Sequence, residues 1–417
     1  MMSTLGRRSS GAALGLALAA AISGAPGAFA DDAAKIEAVR ALESGALADG
    51  ATSLTAMIAA DPGNDDARFG LGMVRFIQAV EHLSQGLYRY GLQPPHTFLM
   101  PIMRLPVPEN PNPEPIDYGK FRQLLLTFVT DLTAAEKALA RIGNDSNTKI
   151  LVNLVAIRYD ADGDGAVAAD ERITDVLARY MEITPQELAA GPLVVAFDRA
   201  DAIWLRGYCH VLMALGEFLL AHDWHESFDD SFHVFFPKAH SPFQEALGKP
   251  NDDMWGSEVA IADLISFLHI RWPVGEPGRM AAVRQHLKAM VALSREDWVA
   301  IEAETDNDRE WIPNPRQTAA FDAPVVTADQ IEAWHNVLDK FDALLDGKVL
   351  MPHWRLNKGI NMRRVFDEPQ PFDLVLWITG PAALPYLEDG PILTSEEWAA
   401  ITEAFQDNFG SYAIWFN

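Results

Sequence analysis

The chain has 417 residues and is strongly acidic, with 33 lysine and arginine residues against 58 aspartate and glutamate residues and a formal net charge of −25 at pH 7. This balance excludes a nucleic-acid-binding protein, because phosphates require a basic face, and it disfavours binding to anionic membrane surfaces. Cys209 is the single cysteine, so no intramolecular disulfide is available and the fold depends on an apolar core.

The first thirty residues have the pattern of an export signal. Arg7-Arg8 precedes an apolar run over residues 11–24, and Ala28-Phe29-Ala30 fits the small-x-small cleavage pattern. The run is too short to cross a bilayer, and no later stretch reaches about 18 uncharged apolar residues, so we predict no membrane span. We therefore predict a signal peptide over residues 1–30, cleaved after Ala30, and a periplasmic or secreted protein.

The remainder, residues 31–417, reads as a single large helical domain. Residues 31–92 predict several helices, and AADPGNDDARFGLG within the segment 47–90 resembles the helix-turn-helix junction of a tetratricopeptide repeat. The alternative is an ordinary antiparallel helix pair, because no period of about 34 residues recurs. Residues 93–116 hold eight prolines among apolar residues, which predicts a long ordered loop across the helices.

Two amphipathic or apolar helices are predicted further on, over residues 117–142 and about 198–221. The second is apolar nearly all round, which is typical of a central buried helix. Cys209 lies within it and is expected to be a buried, inert thiol. The expected fold is mainly α: a helical bundle or irregular helical array with one EF-hand-like helix-loop-helix and the Pro-rich ordered loop.

Residues 160–171, DADGDGAVAADE, have the spacing of a calcium-binding loop. Calcium is a hard cation that takes six to eight oxygen ligands. The predicted ligands are the carboxylates at loop positions one, three, five and twelve, the backbone carbonyl at seven and a water held at nine: Asp160, Asp162, Asp164, Glu171, Ala166 and Ala168. Gly165 at position six permits the sharp turn. The alternative is an acidic turn that binds nothing.

The loop and its flanks, residues 149–182, resemble an EF-hand. The resemblance implies a bound Ca²⁺ and a helix on each side. The entering helix is expected from Leu151, Leu154 and Val155, and the exiting helix from Ile173 and Val176.

EF-hands normally pair, but the sequence offers no second complete loop. The nearest approach is Glu304, Asp306 and Asp308, where Arg309 stands at the position that requires glycine. A sensor exposes a Met-rich groove, and only Met181 lies near this loop. We therefore predict a structural calcium site rather than a regulatory one.

A second candidate metal site lies in HDWHESFDDSFH. On a continuing helix, His225, Asp229 and His233 share one face, and together with His222 they suit zinc or iron. The alternative is a polar, aromatic segment that caps the long buried helix.

A candidate anion site lies in HWRLNKGINMRR, the one strongly basic stretch of the chain. Its side chains suit a carboxylate or phosphate group of a small ligand: Arg355, Lys358, Arg363 and Arg364. The alternative is internal pairing with nearby acids: Asp367, Glu368 or Asp373.

The sequence contains no nucleophile elbow, P-loop or dinucleotide-binding fingerprint, and it does not decide whether the protein is an enzyme. We predict an exported calcium-binding protein with a non-catalytic binding or scaffold role in the cell envelope, whose partner is a protein or a small anionic ligand. The alternatives are a metal-dependent hydrolase that uses the histidine segment and an anionic-solute-binding protein that uses the basic stretch.

Overall fold

The structure is a computed structural model, and it describes residues 26–93, 101–181, 191–242, 265–266, 269–321 and 325–416. The predicted export signal lies outside the described residues up to position 25. The first helix begins at Pro26, so the predicted cleavage position after Ala30 lies within its first turns.

Helices dominate the described residues, which confirms the prediction of a mainly α fold. In chain order they are α1 Pro26–Ser44, α2 Leu47–Ala60, α3 Asp65–Arg89, α4 Tyr118–Leu139, α5 Ile173–Met181, α6 Arg199–Ala221, α7 His225–Ser231, α8 Pro277–Ala303, α9 Ala328–Leu345, α10 Met362–Asp367, α11 Leu374–Thr379, α12 Ser395–Thr402 and α13 Phe409–Phe416. Short 3₁₀ helices lie at Pro101–Arg104, Leu154–Ala156, Phe232–Val234, Pro381–Tyr386 and Glu403–Asn408.

The described strands are short and form three antiparallel pairs. They are β1 Lys149–Asn153, β2 Val194–Asp198, β3 Arg271–Trp272, β4 Gly359–Ile360, β5 Phe372–Asp373 and β6 Leu387–Glu388. β1 pairs with β2, β3 with β5, and β4 with β6. The longest pair, β1–β2, aligns Lys149 with Asp198 at one end and Asn153 with Val194 at the other.

The core is built around α6, which packs against α8 on one side and α4 on the other. Its sequence is apolar nearly all round, so burial on several sides removes the most apolar surface from water. By length and composition alone α6 would be long and apolar enough to cross a membrane, but half of its most apolar stretch is buried inside this fold. Cys209 is fully buried in α6, as expected, and burial raises the pKa of its thiol.

The N-terminal helices α1, α2 and α3 pack against each other, and α3 also packs against α4. The turn between α2 and α3 ends at Asn64, whose side chain accepts a hydrogen bond from Ala67 N at 2.7 Å and so caps α3. Gly50 lies so close to Ala41 that an added Cβ would meet the Ala41 Cβ at 2.3 Å. The helices approach one another closely at small residues, which explains why alanine and glycine are frequent here. The tetratricopeptide-like junction stays a prediction.

The described part of the Pro-rich segment is ordered against the helices, as predicted. Met103 and Ile116 are almost completely buried. Ile116 N donates to the carbonyl of Lys238, and His240 N donates back to the Ile116 carbonyl. Residues 94–100 of the segment lie outside the described residues.

The contact between α6 and α8 includes a half-buried histidine pair, His210 and His286, whose Nδ1 atoms lie 2.8 Å apart. The pKa of His210 is lowered to about 4, chiefly by burial and to a smaller extent by the neighbouring His286 and Arg206. The ring is therefore neutral in the folded protein at pH 7. In the unfolded chain it recovers a pKa near 6.5.

We predict that this pair makes the fold sensitive to acid. Between about pH 6.5 and pH 4 the unfolded chain binds a proton at position 210 that the folded protein does not, so the free energy of unfolding falls as the pH falls. With allowance for the solvent that still reaches the ring, the loss is about 2 kcal/mol. Urea denaturation of wild type and His210→Gln at pH 7 and pH 4.5 measures it, and an equal loss in both proteins would contradict this assignment.

Candidate metal centre

The predicted calcium loop forms a tight series of turns. Gly163 and Gly165 both have left-handed backbone angles, with φ of +76° and +83°. Asp160 Oδ1 accepts from Gly163 N at 2.7 Å, and Asp160 Oδ2 accepts from Gly165 N at 3.1 Å. Gly165 has open space around its Cβ position, so its positive φ, which L side chains rarely adopt, is the reason for glycine there.

These turns bring the three loop aspartates together. Asp160, Asp162 and Asp164 each offer a carboxylate oxygen, and the three oxygens lie within 4.8 Å of one another. Burial raises the pKa of Asp162, and the charges of Asp164 and Asp160 raise it further. The carboxylates repel one another at this spacing, and a hard cation among them would relieve that repulsion.

Glu171, the residue at position twelve, also turns into the loop. It is only 6 % exposed. Its Oε1 accepts from Ala161 N at 2.8 Å and its Oε2 accepts from Ala168 N at 2.6 Å. The carboxylate thus closes the loop on itself, but it is not within the group of three aspartate oxygens. The donor chemistry fits calcium, with Asp160, Asp162 and Asp164 as the convergent residues.

The loop is attached firmly to α3. Glu81 is buried on α3, and its Oε2 accepts from Asp160 N at 2.9 Å. Gln85 Nε2, one turn further, donates to the Asp160 carbonyl at 2.9 Å. Burial raises the pKa of Glu81 to about 7, with smaller contributions from the charges of Asp160 and Glu171.

The other side of the loop packs against the turn between α1 and α2. An added Cβ at Gly45 would meet Val167 Cγ2 at 2.6 Å, and Gly45 has φ of +70°. Arg158 N donates to the Leu42 carbonyl at 2.9 Å. The apolar residue at position eight, which in paired EF-hands packs between loops, here packs against this turn.

The predicted helix on the entering side is wrong. Lys149–Asn153 is strand β1, and a single 3₁₀ turn, Leu154–Ala156, leads towards the loop. Leu151 is 47 % exposed, whereas Ile150 and Val152 are buried, so burial alternates with the period of a strand. The exiting helix α5 is present. The unit is therefore strand, turn, loop and helix.

The histidine segment does not assemble a metal site. α6 ends at Ala221, and His222 has an extended backbone, so the helical spacing is broken before His225. His222 is buried and its Nδ1 lies 2.8 Å from the Phe218 carbonyl, while His225 Nε2 lies 3.6 Å from Asp229 on the exposed side of α7. His233 follows in the 3₁₀ helix Phe232–Val234. Among the described residues, these four do not form a group of three close ligands.

The segment instead caps α6 with aromatic side chains, in agreement with the alternative that it is a polar, aromatic cap of the long buried helix. Trp224 is buried, and its Nε1 donates to the Leu219 carbonyl near the end of α6 at 2.9 Å. Its ring lies 5.5 Å from Phe121 of α4 and 5.3 Å from Phe232, centroid to centroid. The contacts close the end of the core.

The four basic residues of the predicted anion site are bound internally. Lys358 pairs with Asp389 at 2.6 Å, Arg363 with Asp367 at 3.1 Å, Arg364 with Glu368 at 2.8 Å, and Arg355 Nη1 donates to the Thr379 carbonyl at 2.9 Å. Three carry a carboxylate partner, so internal pairing accounts for this stretch. Asp373 instead caps α11.

Sequence reasoning missed a second acidic group. Asp198, Glu304 and Glu310 place carboxylate oxygens within 4.8 Å of one another. Segment 304–310 was considered only as a second calcium loop. Asp306 in fact pairs with Lys149, and Arg309 adopts φ of +64° although it is not glycine. The acidic residues between positions 304 and 310 indicated a possible cation site, but Asp198, which completes the group, lies about a hundred residues earlier in the chain.

The structure also contains an apolar cavity of about 220 Å³ beside the loop unit. It is lined from the loop side by Ile157, Ile173 and Val176, and from α6 by Leu205 and Leu212. Its polar lining includes Asp201 and Tyr208. A hydrophobic cavity of this size was not foreseen, because spacing along the chain does not show where helices fail to fill space.

Comparison with protein-family models, with curated proteins and with solved structures finds no match to this chain.

We predict that Gly45→Ala loosens the calcium loop. The new Cβ meets Val167 and places an L side chain at a positive φ, so the free energy of unfolding falls by about 1–3 kcal/mol and calcium binding weakens. Urea denaturation and calcium titration measure both effects. The double variant Gly45→Ala/Val167→Ala should recover the steric part, and no recovery would show that the contact does not act as described.

Proposed function

We propose that the protein is an exported calcium-binding protein with a non-catalytic binding role, in which the calcium ion is structural. The observation that carries this proposal is the convergence of Asp160, Asp162 and Asp164 in a loop whose residue at position six, Gly165, has the required left-handed backbone. These carboxylates are hard oxygen donors of the kind that calcium takes as ligands.

The surroundings of the loop favour a structural calcium site over a regulatory one. A regulatory loop needs an element that moves between two packings. Here Asp160 is hydrogen-bonded through its backbone to two side chains of α3, Glu81 and Gln85, and Val167 is packed against Gly45. An ion bound in the loop would hold α5 and β1 against the N-terminal helices.

We expect Asp160→Ala/Glu171→Ala to abolish calcium binding at the loop. The substitution removes one ligand and the carboxylate that closes the loop. A ligand that binds only the folded state raises the free energy of unfolding, by about 2.7 kcal/mol at a hundred times its dissociation constant. Thermal unfolding of chelated protein with and without added calcium measures the shift, which should shrink in the variant.

Asp170→Asn is the matched control, because Asp170 lies at position eleven of the same loop, is exposed and is not a predicted ligand. It should keep the calcium-dependent shift. The proposal is rejected if the ligand variant keeps the wild-type affinity at the loop.

The apolar cavity favours a more specific binding role. At about 220 Å³ it is larger than the roughly 150 Å³ cavities that take up benzene and smaller than most pockets for drug-sized ligands. Its lining is almost wholly hydrophobic, and burial raises the pKa of Tyr208, which keeps that hydroxyl neutral. We propose a small, uncharged, largely apolar molecule as the ligand. The histidine and basic segments give no comparable support to a hydrolase or an anion-binding protein.

We predict that Leu212→Trp blocks this cavity. The indole occupies the space, so affinity for an uncharged hydrophobic dye such as N-phenyl-1-naphthylamine should fall by roughly tenfold or more, a loss of about 1.4 kcal/mol or more. Fluorescence titration measures the affinity. Val299→Trp, at a position 67 % exposed on α8, is the control for added surface indole. Equal dye binding by both variants would remove the cavity as the site.

A further inference from the structure

The second acidic group forms where three chain segments meet. Asp198 ends β2 and begins α6, Glu304 ends α8, and Glu310 follows in the next segment. Their carboxylate oxygens lie within 4.8 Å of one another. Ala196 N donates to the Arg309 carbonyl at 3.1 Å, which attaches the third segment to β2. Glu310 is only 3 % exposed.

Beside this group lies a carboxylate with no partner. Asp297 is on α8, seven residues and about two helical turns before Glu304, so both face the same side. It is completely buried, and neither of its oxygens accepts a hydrogen bond within the described part of the chain. A buried carboxylate without a partner is costly to the fold unless it holds a proton or faces a cation.

The electrostatics show what surrounds Asp297. Burial raises its pKa well above the usual range, and the next contributions come from the negative charges of Glu304 and Asp198. Asp201, also buried, experiences the charges of Asp198 and Asp297. Asp297 and Asp201 thus lie close enough to the group to be affected by its charge.

Basic residues do not balance these charges. Lys149 and Arg199 act on the group, but Lys149 pairs with exposed Asp306 and Arg199 with Glu296 at 3.1 Å. Three carboxylates therefore converge and two buried ones experience their charge, while the two nearby cationic side chains already have other partners; the five are Asp198, Asp201, Asp297, Glu304 and Glu310.

Two of the converging carboxylates are also held in position by hydrogen bonds. Glu304 Oε2 accepts from Gln317 Nε2 at 3.1 Å, and Glu310 Oε1 accepts from Asp308 N at 2.8 Å. The other oxygen of each accepts no hydrogen bond from the residues that the structure describes. Ligands of bound metals are typically oriented in this way, with one atom fixed and another presented.

We propose that Asp198, Glu304 and Glu310 bind a second divalent cation, of the hard, oxygen-preferring class, with Asp297 facing the ion. An all-carboxylate donor set suits calcium, magnesium or manganese rather than zinc or copper. The bound ion neutralises the shared charge and joins the β2–α6 junction to the C-terminal end of α8. The site is independent of the calcium loop.

The test counts ions in four forms of the full chain, prepared free of metal by chelation. Equilibrium titration uses calcium, magnesium and manganese, each alone. Wild type should bind two ions of the preferred metal, Asp160→Ala/Glu171→Ala one, Glu304→Gln/Glu310→Gln one, and the combined variant none. If the loop variant, whose acidic group is intact, binds none of the three metals up to about 10 mM, well beyond the usual affinity range of extracellular calcium modules, the proposal is overturned.

Circular dichroism and metal-free unfolding establish that the variants fold. Removing charge from a crowded group should leave metal-free stability unchanged or higher, whereas the cation-dependent stabilisation at this site should be lost. Glu302→Gln, exposed on the same helix, is the matched control and should keep two ions. Unchanged stoichiometry and affinity in Glu304→Gln/Glu310→Gln would also overturn the proposal.

A second variant covers the case in which the double substitution does not fold. Asp297→Asn keeps the shape of the side chain and removes only its charge. It should lower cation affinity at the second site by about 10–100-fold, measured in the loop-variant background. An affinity equal to that of the background would show that Asp297 does not face the ion, and the proposal as stated would be overturned.

Discussion

Repulsion between carboxylates is the constraint on which both candidate centres depend. A chain with an excess of 25 negative charges can keep most of them apart in water, where screening weakens their interaction. At the loop and at the β2–α6 junction, however, packing brings them within 4.8 Å of one another. Protons or cations must then supply the missing positive charge. A bound hard cation such as calcium would do so and would also fix the geometry of the segments that carry the ligands.

The central helix explains why the acids gather at its end. α6 is apolar nearly all round and packs between α4 and α8, so its charged residues lie near its ends or, like Arg206, are paired with a carboxylate of a neighbouring helix. Asp198 caps its N-terminus and Asp201 completes a capping box, in which Asp201 Oδ2 accepts from Asp198 N at 2.9 Å. The positive end of the helix dipole favours both carboxylates. The same packing leaves the hydrophobic cavity along α6, which Asp201 also lines.

A feature could be predicted from the sequence when the residues that determine it lie close together in the chain. The calcium loop is specified within twelve residues, so its glycine turn and aspartate spacing were readable. The structure before the loop could not be predicted in this way. Leu151, Leu154 and Val155 fit a helical spacing, but the burial of Ile150 and Val152 alternates as in a strand. Pairing with β2 determines that the segment is a strand. The predicted histidine ligands do not come together for the same reason. The helix ends before His222, and tertiary packing determines where it ends. Asp198 and Glu304 meet only after α6 and α8 have packed.

The two candidate centres lie at opposite ends of one strand pair. β1 leads from Asn153 through a single turn towards the calcium loop, whereas its first residue, Lys149, is aligned with Asp198 of the second acidic group. Ile150 and Val152 are buried between these ends, so the pair cannot shift its register without exposing them. A cation at either end therefore restrains the same two strands, and the cavity lies against both regions through Ile157 and Trp311. Ion binding and occupation of the cavity would then stabilise one packing of the same segments, which suits a protein that holds its ligand without reshaping itself.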